Sequence, residues 1–457
     1  MTLDPVLQRI DDQLDAATER LKALLRIPSI STDPAYKADC DRAADWLVED
    51  LRSIGFDAKK HPTPGHPMVV AHSGGEGPRV MFYGHYDVQP VDPLSLWDRD
   101  PFDPQVEDTP KGRVIRGRGS SDDKGQLMTF VEACRAWKDV HGSLPANITI
   151  FFEGEEESGS PSLVPFLKEN ADLLRADIAL ICDTGLFGEE TPGIITQLRG
   201  LLGEEVIITG PSKDLHSGMF GGLAMNPARV LAKVIASLHD ETGRITVPGF
   251  YDDVPELSDE MAAAWDGLGF DATSFLGEVG LRHPAGEQGR TPLEMLWSRP
   301  TCEVNGMTAG YTGDGFKTVL PSVARAKISF RLVGQQDPLK IREAFRAQVR
   351  EMIPEDCSVE FHDHGASGAG IMQTSHPAFE QARAALSDEW PQPAAFIGAG
   401  GSIPIAAYFK TYLDMDAMLI GFGKDDDQIH SPNEKYDLSS FHKGTRSWAR
   451  ILNAMIS

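Results

Sequence analysis

The chain is 457 residues long and carries 68 acidic against 43 basic side chains, a formal net charge of -25. That balance argues against nucleic acid or an anionic membrane surface as a partner, because both are gripped through Lys and Arg. A hydrophobic fraction of 41% with 24% charged residues is ordinary for a well-packed protein, and the length suits two domains, or three.

No apolar run approaches the roughly 18 residues that cross a bilayer. Met1-Thr2-Leu3-Asp4-Pro5 lacks the basic-then-apolar pattern of a secretory signal. The five cysteines (Cys40, Cys134, Cys182, Cys302, Cys357) are scattered without a CxxC pair, so reduced structural thiols are expected. The expected location is cytoplasmic, with neither membrane nor nucleic acid as a partner.

Val6, Leu7, Ile10, Leu14, Ala17, Leu21, Leu24 and Leu25 recur at helical spacing and predict an opening amphipathic helix. A second is predicted from about Asp39 to Ile54. Short apolar runs at 68–71 and 80–83 come next, and Gly84-His85-Tyr86-Asp87 directly follows the second of them. His85 is therefore expected at the carboxyl end of a buried strand, where open α/β sheets place their ligand sites.

The Gly/Ser-rich turn Arg116-Gly117-Arg118-Gly119-Ser120-Ser121-Asp122-Asp123-Lys124-Gly125 leads into a helical pattern that reaches about His141. Asp122 and Asp123 fall at that junction, where free backbone N–H groups gather. Asp123 is a candidate N-cap and Asp122 a candidate metal ligand. Strands are predicted at 148–152, running into Glu153-Gly154-Glu155-Glu156-Glu157-Ser158-Gly159, and at 178–181, running into Cys182-Asp183. Three candidate ligand positions in succession past strand ends read as a βαβ catalytic domain.

The texture changes near Arg199-Gly200. Predicted strands at 205–209, 326–333 and 358–361, with helices at 227–238 and 338–352, make a second α+β unit; 239–301 reads as irregular. From His376 a helix, a glycine turn, another helix, a buried strand at 417–420 and a closing helix from Ser439 complete the chain. The expected fold is α/β. A catalytic domain with a mixed sheet flanked by helices (1–199 and 371–457) is interrupted by an inserted α+β domain at 200–370.

His85, with Asp87 two positions on, suits an imidazole that binds metal through one nitrogen while a carboxylate fixes its other N–H. Of the adjacent Glu156 and Glu157, one can ligate metal while the other takes a proton from water. Glu155 stands as a third acid beside them, able to alter metal preference or the base's proton affinity. Asp183 follows a buried strand, where a charge needs a partner, and His430 lies in the polar loop 425–435. Singly, each has a bland explanation: a satisfied histidine, a helix cap, a solvated charge run. In this order they supply the His and carboxylate ligands of a two-metal hydrolase.

The motifs Gly84-His85-Tyr86-Asp87-Val88-Gln89-Pro90, Gly117 through Gly125, and Glu156-Glu157-Ser158-Gly159-Ser160 carry a resemblance that runs nearly end to end. With them go Asp214-Leu215-His216-Ser217-Gly218, Phe220-Gly221-Gly222, Lys317-Thr318-Val319-Leu320-Pro321, Gly401-Ser402-Ile403-Pro404 and His430-Ser431-Pro432-Asn433-Glu434-Lys435. Together they resemble the M20 family of di-zinc peptidases and amidohydrolases, specifically its dipeptidase branch (carnosinase-like, cytosolic non-specific dipeptidases).

The resemblance implies two divalent ions, zinc first, with manganese or cobalt as alternatives. His85 and Asp183 would hold one, Glu157 and His430 the other, with Asp122 bridging through a cis Asp122–Asp123 linkage. Glu156 would be the general base and acid, and Asp87 would orient His85. His216 would stabilise the oxyanion from a partner subunit, while Arg331, Thr318 and Ser402 contact a small peptide substrate. The inserted domain would be both lid and homodimer surface. The implied reaction is cleavage of a dipeptide with a free C-terminal carboxylate. An N-acyl-amino-acid deacylase or carbamoylase on the same scaffold is the first alternative, and a catalytically silent binding protein the second.

Overall fold

The short apolar runs of the amino-terminal part become the centre of a mixed sheet in a computed structural model of the chain, which describes residues 1–75, 77–372, 374–401 and 403–455. Contacts divide the chain into two units. The first gathers Met1–Thr196, Met372–Ile397 and Tyr408–Ser457; the second gathers Gln197–Ile371 and Gly398–Ala407.

In the first unit, Asn147–Glu153, Arg79–His85, Ile178–Ile181 and Asp416–Ile420 lie side by side and parallel. Met68–His72 and Asp57–His61 extend the sheet antiparallel on one flank, and Gly193–Leu198 on the other. The parallel strands are buried along almost their whole length, as expected where helices cover both faces. The helices Lys124–His141 and Leu438–Met455 pack on each other against this sheet. Phe82 stacks on Phe130 at 4.0 Å between ring centroids, and Trp448 meets both edge-on at 5.6 Å. These three rings are fully buried. Phe82→Ala should therefore cost about 3–5 kcal/mol, seen as a lower denaturant midpoint for the first unit.

The second unit is built on a four-stranded antiparallel sheet in the order Thr301–Ala309, Val323–Leu332, Gly200–Thr209, Ser358–Ser367. Alternate side chains (Val206, Ile208, Ala324, Ala326, Ile328, Phe330) share a core with Val230, Leu231, Ile341 and Phe345 of the helices Pro227–Ala236 and Pro338–Glu351. On the opposite face of the strand Val323–Leu332, Arg325 and Lys327 are exposed and Ser329 and Arg331 half-buried.

Three local features differ from the sequence reading. The opening helix is two, Asp4–Asp12 and Leu14–Leu25, broken at Gln13. The stretch read as irregular holds short helices at Asp259–Asp266, Ala272–Gly277 and Pro292–Trp297, each opened by a side-chain cap from Ser258, Asp271 or Thr291. Thr301–Ala309 is a strand whose mostly exposed side chains gave no apolar signal. Among the described residues, no helix is long and apolar enough to cross a membrane.

Candidate metal centre

Three parallel strands deliver the acidic loops to one edge of the sheet. His85 ends the strand Arg79–His85, and in register with it Glu153 ends Asn147–Glu153. Ile178–Ile181 runs into Asp183 on the other side. The fourth contribution is the turn before the helix Lys124–His141. Gly119 adopts φ 81° there, and a Cβ on Gly125 would lie 1.8 Å from the Ser120 carbonyl oxygen. Only glycine permits that reversal. The Asp122–Asp123 peptide that follows is cis.

His85 is fully buried. Its Nδ1 lies 3.1 Å from the Asp87 carbonyl oxygen and 3.4 Å from Asp87 Oδ1. Its Nε2 faces Asp122 Oδ1 at 3.0 Å and Asp183 Oδ2 at 3.9 Å. Across the site, His430 Nε2 lies 2.9 Å from Asp122 Oδ2 and 3.3 Å from Glu157 Oε2. The carboxylate of Asp87 also accepts the backbone N–H groups of Glu156 (3.2 Å) and Glu157 (3.0 Å), so one side chain sets the turn that presents both glutamates. Gln89 donates to Glu157 Oε2 at 2.6 Å. Two donor groups result, His85–Asp122–Asp183 and Asp122–Glu157–His430, each with its ligand atoms within 4.8 Å of one another and Asp122 common to both.

The electrostatics favour bound cations. Burial, and then the charge of Asp122, push Asp183 up to about 8 against the pull of His85. Burial likewise raises Glu156, with His85 opposing and Asp87, Glu157 and Asp122 adding to the rise. Burial opposes ionisation of Asp122 too, yet bonds to His430 and His85 hold it below the usual carboxylate range. His430 is raised to about 10 by its bonds to Asp122 and Glu157. Carboxylates crowded this closely cannot all ionise without added positive charge, and a divalent cation supplies it. His and carboxylate donors at this spacing fit zinc, manganese or cobalt.

The structure reassigns two acids. Both oxygens of Glu155 are taken by backbone donors: its Oε1 accepts the His66 N–H at 2.7 Å and its Oε2 the Ser162 N–H at 2.9 Å, which fastens two loops together. Asp123 makes no side-chain cap to the helix it precedes; its Oδ2 accepts the His85 N–H at 3.1 Å instead. The charge run 155–157 gave no sign of which acid turns inward, because that depends on which backbone donors fold back to meet it.

His216, Thr318 and Arg331 belong to the second unit. His216 is exposed and caps the turn Ser217–Phe220, its Nδ1 accepting the Gly218 N–H at 3.0 Å. Leu215–His216 pairs with Val319–Leu320, and the Thr318 carbonyl accepts the Ser217 N–H at 3.1 Å, so these two motifs are neighbours. Arg331 is half-buried on the strand Val323–Leu332, opposite Leu201 and Thr301. Ser402 lies outside the described residues.

Sequence reasoning gave no role to Glu434 or Arg118. Both are buried, and Arg118 Nη1 lies 2.8 Å from Glu434 Oε2. The one available signal was a glutamate four positions after His430 in a segment already marked by its motif.

The model of peptidase family M20/M25/M40 matches residues 81–454. The Cys-Gly metallodipeptidase DUG1 of Saccharomyces cerevisiae is 31% identical over 99% of this chain and 98% of its own length. Among solved structures, human carnosine dipeptidase 1 superimposes with a TM-score of 0.80 at 26% identity, covering 99% of this chain and 98% of that one. The M20 metallo-carboxypeptidase Sso-CP2 of Sulfolobus solfataricus gives 0.82 at 31%, covering 96% and 99%. A match of that extent, over an edge of the sheet where histidines and carboxylates converge, makes the chain a member of peptidase family M20/M25/M40 and, within it, a metallodipeptidase.

Proposed function

We propose that this metallodipeptidase cleaves the amide bond of dipeptides bearing a free C-terminal carboxylate. His85 and Asp183 would hold one divalent ion and Glu157 and His430 the other, with Asp122 common to both groups. The observation that carries this is the pair of donor groups sharing Asp122. Relatives named for Cys-Gly and for β-Ala-His support a dipeptide as the substrate.

When bound, the ions supply Lewis-acid activation of water and of the scissile carbonyl; zinc is the proposed native ion, with manganese and cobalt as substitutes. The chain's own side chains do the rest. Glu156 takes the proton of the attacking water and returns it to the leaving amine. Asp87 holds Nδ1 of His85, which leaves the Nε2 lone pair for a ligand bond. His216 donates to the developing oxyanion. Its Nδ1 accepts a backbone N–H, so the neutral ring carries its proton on Nε2, which is then a donor. Arg331 receives the substrate carboxylate with Thr318 and Ser402 beside it. The second unit acts as lid and homodimer surface, His216 serving the partner's site, and the enzyme works in the cytoplasm.

The test is a panel of free dipeptides, including Cys-Gly and β-Ala-His, their N-acetyl derivatives and N-acetyl amino acids, with chelator-treated protein as control. Turnover confined to free dipeptides and lost with chelator is expected; turnover of acylated amino acids instead would overturn the substrate assignment. In the same panel Arg331→Ala should lose about 1.5–3 kcal/mol of transition-state binding, the range of a charge-assisted hydrogen bond, read as a fall in kcat/KM. Unchanged kcat/KM would remove Arg331 from the substrate.

A further inference from the structure

Glu434 sits at the centre of a closed hydrogen-bond set. Its Oε2 accepts Arg118 Nη1 at 2.8 Å and the Gly119 N–H at 2.9 Å. Its Oε1 accepts the Ser121 N–H at 2.9 Å and the Asp122 N–H at 3.1 Å. Both oxygens are thus doubly occupied, and the carboxylate is fully buried. It grips the main chain of Asp122, the residue common to both donor groups.

The same short loop carries His430 four residues earlier. Gln428, His430 and Asn433 all adopt positive φ, 56°, 61° and 64°, a conformation that non-glycine residues keep only where their surroundings impose it. The imposing contacts run back to the turn that Glu434 grips. Arg116 Nη1 donates to the Asn433 carbonyl at 2.5 Å, the Gly117 N–H to the Glu434 carbonyl at 3.0 Å, and Ser121 Oγ to Asp427 Oδ2 at 2.7 Å. The turn bearing Asp122 and the loop bearing His430 are therefore zipped together from 116 to 122 on one strand and 427 to 435 on the other.

We propose that Glu434 is a positioning residue for both metal sites: its carboxylate fixes the Asp122 main chain and the His430 loop as one body, so that His430 Nε2 and Asp122 Oδ2 meet at ligand spacing. This rests on the ligand assignment above. Gln cannot replace it, because an amide presents one oxygen and one NH₂, and in either orientation the NH₂ faces two donors. Asp keeps the charge but withdraws it by one methylene.

The test is Co²⁺ titration of the full chain followed by visible absorption, with near-UV circular dichroism on the same samples. The variants are Glu434→Gln, Glu434→Asp and Asp122→Asn. Glu389→Gln serves as a stability control: it cuts a carboxylate from Arg446 and Arg450 (both 2.7 Å) away from the centre. Both Glu434 variants should bind Co²⁺ about 10–100-fold more weakly, the range for losing a group that orients metal ligands, with an altered visible band, while Glu389→Gln binds like the parent. Parental affinity and band in Glu434→Asp or Glu434→Gln, or a loss no greater than that of Glu389→Gln, overturns the proposal. Undiminished binding in Asp122→Asn as well would overturn the ligand assignment beneath it.

Discussion

Glu156→Gln is expected to fold, to bind metal like the parent chain and to lose about 10²–10⁴-fold in kcat, the range for removing a general acid–base. The substitution keeps the volume and the backbone N–H that Asp87 holds at 3.2 Å while removing the ability to take a proton. Burial and the charges of Asp87, Glu157 and Asp122, offset by His85, raise the Glu156 carboxyl above its ordinary range. A carboxylate so placed holds a proton better than a free glutamate does, which suits the proposed transfer from water to amine. Glu157→Gln is the paired measurement. That carboxylate lies 3.3 Å from His430 Nε2 and belongs to a donor group, so its loss should appear in metal affinity before it appears in kcat. Near-normal turnover by metal-loaded Glu156→Gln would sink the division of labour between the two glutamates.

Buried strands announce themselves. The runs at 80–83, 148–152 and 178–181 are apolar because both faces of a parallel sheet are covered, and the polar residue that ends each is conspicuous for the same reason. That made His85, Asp183 and the acidic turn after Glu153 visible as candidates. The strand Thr301–Ala309 was invisible because most of its side chains face outward, leaving no alternation to read. Gln13 breaks the first helix although the apolar spacing continues through it.

Charges were harder to place than strands. Glu155, Glu156 and Glu157 are one string in the sequence, yet Glu155 turns to the N–H groups of His66 and Ser162 while Glu156 and Glu157 hang from Asp87. Glu434 belongs to a stretch that reads as a polar loop, yet it is fully buried because a turn more than three hundred positions away closes over it. Burial of a charge is decided by long-range closure, which no local pattern carries. Conversely, His216, Thr318 and Arg331 enter as candidates only through the family resemblance, since nothing in their spacing along the chain marks them as a set.

Asp122→Asn should have the largest effect on metal binding. Its two oxygens go to different imidazoles, Oδ1 to His85 Nε2 at 3.0 Å and Oδ2 to His430 Nε2 at 2.9 Å, so a single carboxylate belongs to both donor groups. Asn retains one neutral oxygen and turns the other position into a donor. One group then loses the Asp122 oxygen and both lose its negative charge, leaving Asp183 as the carboxylate of one and Glu157 of the other. The fall in affinity should exceed the ~10–100-fold expected for a merely supporting partner, and turnover should disappear with it. Stability reports the same event independently: metal at 100 times its Kd stabilises the parent by about 2.7 kcal/mol, and that metal-dependent gain should shrink or vanish in the variant. His430→Ala is the informative contrast, because it removes a ligand from one group and leaves His85, Asp122 and Asp183 intact. If His430→Ala and Asp122→Asn lose metal to the same extent, the two groups are not joined through Asp122. A clearly deeper loss in Asp122→Asn is the outcome that a shared carboxylate requires.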